Sequence, residues 1–258
     1  AVTQFAYAWL PSMLIKYLRL LAAFAQAFVI LWFKFPHASR EQKLSHIKDW
    51  SHHVLKVVGI RLDITESSAL IHSTKAQLLV ANHVSWLDVL IIQAVHPCVF
   101  VAKSEVRKWP LVGSMAKACG VVFVDRSSSS SARKMVDDVA SALHHGYCVA
   151  GFPEGSSSEG YGVSLFHANL FEAAIHRDVE VLPLALRYTD LSTSSLCVKA
   201  AFLGEIGFLE SLHQVISTDG IHARIQIGQV LSPQGHSRRT LAHLSHRSVS
   251  TQLEALQA

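Results

Sequence analysis

The stretch Gln77-Leu78-Leu79-Val80-Ala81-Asn82-His83-Val84-Ser85-Trp86-Leu87-Asp88 passes from an apolar run to two ionisable side chains within a few residues. Gln77 to Ala81 is short, apolar and flanked by polar sequence, which predicts a buried strand. His83 then falls in the loop after that strand. Asp88 falls at the start of the next helix, predicted over Val89 to Val95, where alone it reads as an N-cap. Together an imidazole at a strand end and a carboxylate five residues on can form a general base with its orienting partner. No serine or cysteine occupies a recognisable nucleophile position, and there is no Gly-x-Ser-x-Gly elbow. The hydroxyl to be activated would therefore belong to another molecule.

Outward from this stretch the pattern alternates. Ile60, Leu62 and Ile64 follow period two, and apolar runs recur at 77–81, 98–102, 120–124, 147–152 and 180–187, separated by helical or loop sequence. Met135, Val136, Val139 and Leu143 mark a helix over 132–145, further strands are expected near 197–203 and 222–231, and a last helix starts near 237. This rhythm predicts an α/β fold, a central mixed sheet flanked by helices. Residues 59–258 would form that domain, and 1–58 an N-terminal membrane-associating unit of two helices.

The N-terminal unit rests on charge and hydropathy. Of 23 Lys and Arg against 19 Asp and Glu, Lys16, Arg19, Lys34 and Arg40 all precede the first acid, Glu41, so the basic excess belongs to the apolar N-terminal segment. It would meet anionic lipid head groups instead of nucleic acid. Leu20 to Phe33, broken only by Gln26, falls short of the roughly 20 residues of a spanning helix, so an interfacial helix is expected. Lys16, Arg19, Ala23 and Gln26 would form its polar stripe, with Trp9, Tyr17 and Trp32 at head-group depth. A cleaved signal peptide is the rival reading, but nothing after Phe35 resembles a cleavage site. Ser39 and Gln42 resemble a capping box that opens a second helix, ending at Gly59. The four cysteines form no Cys-x-x-Cys pair and the sixteen histidines are scattered, so no metal site and a reducing compartment are expected.

Strand ends in an α/β sheet are where ligands bind, and three carry unusual residues. His83 and Asp88 follow the first. Gly120-Val121-Val122-Phe123-Val124-Asp125-Arg126 is a strand ending in an acid and a base, and Arg126 offers a fixed cationic fork. Phe152-Pro153-Glu154-Gly155-Ser156 follows the strand Tyr147 to Gly151, where Pro153 stops the ladder and Gly155 permits positive φ.

These blocks, in this order, resemble the 1-acylglycerol-3-phosphate acyltransferase family, whose blocks are Asn-His-x-x-x-x-Asp, Gly-x-x-Phe-x-Asp-Arg, Phe-Pro-Glu-Gly-Thr/Ser and a late apolar strand with proline. They fall here at 82–88, 120–126, 152–156 and Val181-Leu182-Pro183-Leu184, and Lys103-Ser104-Glu105 with Trp109-Pro110 looks like the family's connection between the first two. The resemblance implies an O-acyltransferase. His83 would deprotonate the free hydroxyl of a lysolipid, most simply 1-acylglycerol-3-phosphate, with Asp88 holding the imidazole. Arg126, with Lys103, would hold the phosphate. Glu154, Gly155 and Ser156 would shape the acceptor pocket, and Pro183 would serve the acyl donor; sequence does not identify the oxyanion's donors, for which backbone N–H groups near Gly155 and Ser156 are candidates. The donor is acyl-CoA or acyl carrier protein, acting as co-substrate with no cofactor. The place of action would be the cytoplasmic face of a bacterial inner membrane. One departure stands out: many members that act on lysophosphatidate continue the third block with Thr-Arg, and this chain reads Ser156-Ser157. Relatives without that arginine include lyso-ornithine lipid O-acyltransferases, whose acceptor carries a carboxylate and an amine. From another class, a thioester or lipid hydrolase would use water as the acceptor.

Overall fold

The computed structural model describes residues 2–65, 75–125, 129–204 and 206–257, with residues 2–12 and 129 as backbone only. Seven strands form one sheet: β1 (Ile60–Thr65), β2 (Leu78–Ala81), β3 (Val99–Lys103), β4 (Val122–Val124), β5 (Val149–Gly151), β6 (Val181–Asp190) and β7 (Ile221–Ile227), in the order β1-β7-β6-β2-β5-β3-β4. All neighbouring pairs are parallel except β6 and β7, so the sheet is mixed. The helices are α1 (Val2–Val29), α2 (Arg40–Val58), α3 (Leu87–Val95), α4 (Val112–Ala118), α5 (Ser129–His144), α6 (Asn169–Arg177), α7 (Phe208–Ile216) and α8 (Arg238–Ala255).

Strands β2 and β5 carry no polar side chain because both faces are covered. All four residues of β2 are buried. Leu79, Ala81, Leu184 and Leu186 pack with Leu87, Ile91 and Ile92 of α3, with α2 beyond. On the other face Leu78, Val80, Val149 and Val181 meet Val139 and Leu143 of α5, Phe171 and Ala174 of α6, and Leu241 of α8. Because β2, β3, β4 and β5 run parallel, their C-terminal ends deliver His83, Lys103, Asp125 and Phe152 to one edge of the sheet.

The N-terminal helices are built as their sequence signals require, but they face differently from expectation. The Ser39 side chain accepts from the Gln42 N–H while the Gln42 side chain accepts from the Ser39 N–H, and Gly59 closes α2 at φ 86°. Apolar helix continues beyond α1 through a π turn at Ile30–Lys34, so that Met13–His37, 25 residues, is long and apolar enough to cross a bilayer. The expected shortfall in length does not hold, since helical backbone runs on to either side of Leu20–Phe33. Nor is the expected polar stripe a lipid-facing one throughout. Lys16 Nζ donates to the Ile216 carbonyl at the C-terminal end of α7, where a cation meets the negative end of a helix dipole. Ala23 is buried, and its carbonyl accepts from Trp50 Nε1 of α2 at 2.8 Å. Tyr17 bonds His213 of α7 at 2.7 Å. The side chain of Trp9 lies outside the described residues. The outward face carries Leu14, Leu18, Leu21, Trp32 and Phe33, all more than half exposed.

No strand forms over 197–203. That segment holds a single 3-10 turn at Val198–Ala200, and its buried residues, Cys197, Ala200 and Ala201, do not alternate. The Phe202 N–H instead donates to the Val84 carbonyl, which ties this segment to the loop carrying His83.

Candidate active site

Where β2 stops, its asparagine continues the pairing. Asn82 is fully buried. Its side chain donates to the Leu186 carbonyl at 2.9 Å and accepts from the Leu186 N–H at 2.8 Å. A side-chain amide thus takes the place of a backbone rung and fixes the point where the chain leaves the sheet.

The next peptide is held on both sides. Glu154 Oε1 accepts from the His83 N–H at 2.6 Å, while the His83 carbonyl accepts from Ser158, through its N–H at 2.8 Å and its hydroxyl at 3.2 Å. The second oxygen of Glu154 accepts from the Ser164 N–H at 2.7 Å. Glu154 is buried, which raises its carboxyl above the usual range against the opposing pull of those two N–H groups. It stands behind the site as a clamp between two loops and does not line the cavity, contrary to the sequence expectation.

Asp88 lies in the first turn of α3 and is wholly buried. Helix α3 begins at Leu87, and the Asp88 carboxylate reaches back into the loop instead of capping the helix as an N-cap. Its Oδ2 accepts from the N–H of Val84 at 2.8 Å, the N–H of Ser85 at 2.9 Å and His83 Nδ1 at 2.7 Å. A carboxylate only accepts, so Nδ1 carries the proton and the lone pair of Nε2 is left for chemistry. Phe152 lies flat on the imidazole, with centroids 4.1 Å apart and planes 10° from parallel. Phe152 was not singled out from sequence, although an aromatic directly before Pro-Glu-Gly at a strand end was a usable signal.

The imidazole faces a cavity of about 950 Å³. Its polar part holds His83, Lys103, Asp125, Gly155, Ser156 and Ser157, and its apolar part runs between α1 and α2, past Leu20, Phe24, Leu31, Ile47 and Trp50. His83, Lys103, Gly155 and Ser156 thus line one cavity. Gly155 has φ 82°, which a side chain would strain, and its N–H donates to the Phe152 carbonyl in the turn, so it is engaged there and not turned to an oxyanion. Arg126 lies outside the described residues; Asp125, next to it in sequence, lines the cavity. Pro183 does not join the others. It pairs with Val80 in mid-sheet and shares the strand face of Val181 and Ala185, which is turned toward α8 and away from the cavity. Ser157 lines the cavity with its hydroxyl bonded to the Phe202 carbonyl. Among the described residues no group of His, Cys, Asp and Glu is arranged to hold a metal ion.

A family model described as Acyltransferase matches residues 62–187, which contain His83, Asp88, Lys103, Glu154 and Pro183. The chain carries an acyltransferase-family domain over these residues. Over 148 residues the chain is 36% identical to the 1-acyl-sn-glycerol-3-phosphate acyltransferase of Neisseria meningitidis, covering 57% of each chain. It is 34% identical over 172 residues to the lyso-ornithine lipid O-acyltransferase of Pseudomonas aeruginosa, covering 67% of this chain and 66% of that protein. The chain thus spans somewhat over half to about two thirds of the length of these relatives. The crystal structure of the 1-acyl-sn-glycerophosphate acyltransferase PlsC from Thermotoga maritima superposes with a TM-score of 0.73 over 96% of both chains at 21% identity, which shows the shared fold.

Proposed function

We propose that this protein is an O-acyltransferase that moves a fatty acyl group from acyl-CoA or acyl carrier protein to the free hydroxyl of a lysolipid, with 1-acylglycerol-3-phosphate as acceptor. The observation that carries the reading is the His83–Asp88 hydrogen bond, which leaves Nε2 facing an apolar cavity. Nε2 takes the hydroxyl proton as that oxygen attacks the thioester carbonyl. A C–O bond forms, the C–S bond breaks, and the thiolate leaves with the proton from the imidazolium. No acyl-enzyme is needed. The volume, about 950 Å³, is at the upper end of the roughly 300–1,000 Å³ of small-molecule sites and suits an acyl chain laid between α1 and α2. Lys103, with Arg126, would hold the acceptor phosphate. Residues 1–58 would seat the outward face of α1 in the cytoplasmic leaflet, on the side from which either water-soluble thioester donor would arrive, and 59–258 would carry the chemistry.

Ser157 favours a second reading for the acceptor. Where many lysophosphatidate-directed members carry an arginine, this hydroxyl is bonded to a backbone carbonyl, so a lyso-ornithine lipid, with one carboxylate, would need one fewer cation. The test is to offer purified protein in vesicles a labelled acyl thioester with a panel of lysolipids and identify the product by mass. A diacylated product from lysophosphatidate that vanishes in His83→Ala supports the proposal; product from lyso-ornithine lipid alone selects the second reading. Free fatty acid without diacylated lipid would mean hydrolysis and refute both.

A further inference from the structure

Among the described residues, Tyr188 is the one hydrogen-bond partner of Asp88 that lies far from it in sequence. Strand β6 runs beyond the last rung it shares with β2, Ala81 to Leu184, and Asn82 holds it at Leu186. Two residues on, by strand alternation, Tyr188 points to the same face as Leu184 and Leu186, toward α3. It is 1% exposed, and its hydroxyl donates to Asp88 Oδ1 at 2.5 Å. This is the carboxylate oxygen that the loop leaves aside, since Val84, Ser85 and His83 all use Oδ2. A phenylalanine would fill the same space in the core. A buried hydroxyl is costly unless its hydrogen bond is made, so the oxygen of Tyr188 is explained by Asp88 and not by packing.

We propose that Tyr188 is a positioning residue for proton transfer: its hydroxyl holds the free oxygen of Asp88 and so sets how strongly that carboxylate pulls on the imidazole of His83. The inference rests on the proposed function above. Each donor to Asp88 draws charge from the carboxylate. Without the phenol, negative charge concentrates on the carboxylate beside Nδ1 and favours the imidazolium, which is not a base. Burial, together with the neighbouring Asp88, pushes the Tyr188 hydroxyl well above its ordinary value, so it remains a donor across the working range. Among the described residues, the other ionisable groups at the dyad or on the wall of its cavity are Glu154, which binds the His83 N–H, and Lys103, Glu105, Asp125, His46, His167 and Cys119. None of these is within the Asp88 hydrogen-bond set.

The test is the pH dependence of kcat/KM for acyl transfer by the full chain in vesicles. Tyr188→Phe is expected to move the acid limb upward by about one unit, so that kcat/KM falls about tenfold below it, while the alkaline plateau and KM stay within about twofold. Replacing Tyr188 by 3-fluorotyrosine, a stronger donor of nearly the same size, should move that limb the opposite way. It also decides the matter if Tyr188→Phe does not fold. Loss by the same factor at every pH, or no movement of the limb with fluorotyrosine, would overturn the assignment and leave Tyr188 a packing residue. Wild-type protein that transfers no acyl group would refute the proposed function itself, a separate result.

Discussion

Glu154→Gln separates clamping from chemistry, because this side chain touches neither the cavity nor the imidazole ring. The carboxylate accepts two backbone N–H groups at 2.6 and 2.7 Å, and such charge-assisted bonds contribute roughly 1.5–3 kcal/mol each. Glutamine accepts only one. Its NH2 must face the other N–H, either that of His83 or that of Ser164. Relief of burying a charge offsets part of the loss, leaving about 2 kcal/mol, or about 4–8 °C in Tm for a chain of this size. Displacing His83 by a fraction of an ångström would lower kcat/KM about 10- to 100-fold with little change in KM. The sign of the pH effect is also fixed. Burial raises the Glu154 carboxyl above its ordinary 4.5, so the folded state takes up its proton before the unfolded chain does. That contribution stabilises the wild type as pH falls toward 4.5 and is lost as pH rises through the folded value. The Tm gap between wild type and variant should therefore widen as pH is lowered. Thermal melts across that range, with initial rates, check both parts. A variant with wild-type Tm and kcat/KM within about twofold would refute the clamp.

His83→Ala should abolish transfer by at least about 10²-fold while the melting curve changes little, because the ring is partly exposed and its backbone bonds remain; the same labelled-thioester assay reads it. Leu18, Leu21 and Trp32 changed together to Ser should release the protein from vesicles in a flotation assay and leave its Tm unchanged, since all three are exposed. Ser157→Arg adds a cation to the cavity wall and should raise the preference for lysophosphatidate over lyso-ornithine lipid by about tenfold, measured as a ratio of kcat/KM, from one charged hydrogen bond of roughly 1.5–3 kcal/mol. An unchanged ratio would remove Ser157 from acceptor selection.

What sequence disclosed was local. His83 and Asp88 are five residues apart and meet because a loop and one helical turn bring them together, so their types and spacing were enough. The sheet was legible in the same way, from apolar runs that need both faces covered. Contacts that depend on register were not. Asn82 meets Leu186 across 104 residues and Tyr188 meets Asp88 across 100, and neither pairing exists until β6 is laid beside β2. Pro183 was misplaced for the same reason, since a shift of one position in a strand turns a side chain to the opposite face. On α1, Lys16 and Ala23 looked like a head-group stripe. Polarity alone does not distinguish water or lipid from a neighbouring helix end that needs a cation, and a small residue on an apolar helix marks close packing as readily as a weak face. Over 197–203 the apolar letters were right for burial, but Phe202 had its backbone partner in the Val84 loop instead of a strand.

The anchoring of Asp88 has a consequence for genetics. One oxygen atom, Oδ2, both orients the imidazole and ties down residues 84 and 85. A replacement at that position thus disturbs the loop and the imidazole together, and a survey of variants by survival alone would merge two causes into one phenotype. Selection meets the same fusion at position 88, so separate tuning of the two duties has to come from a neighbour such as Tyr188, which touches only the other oxygen.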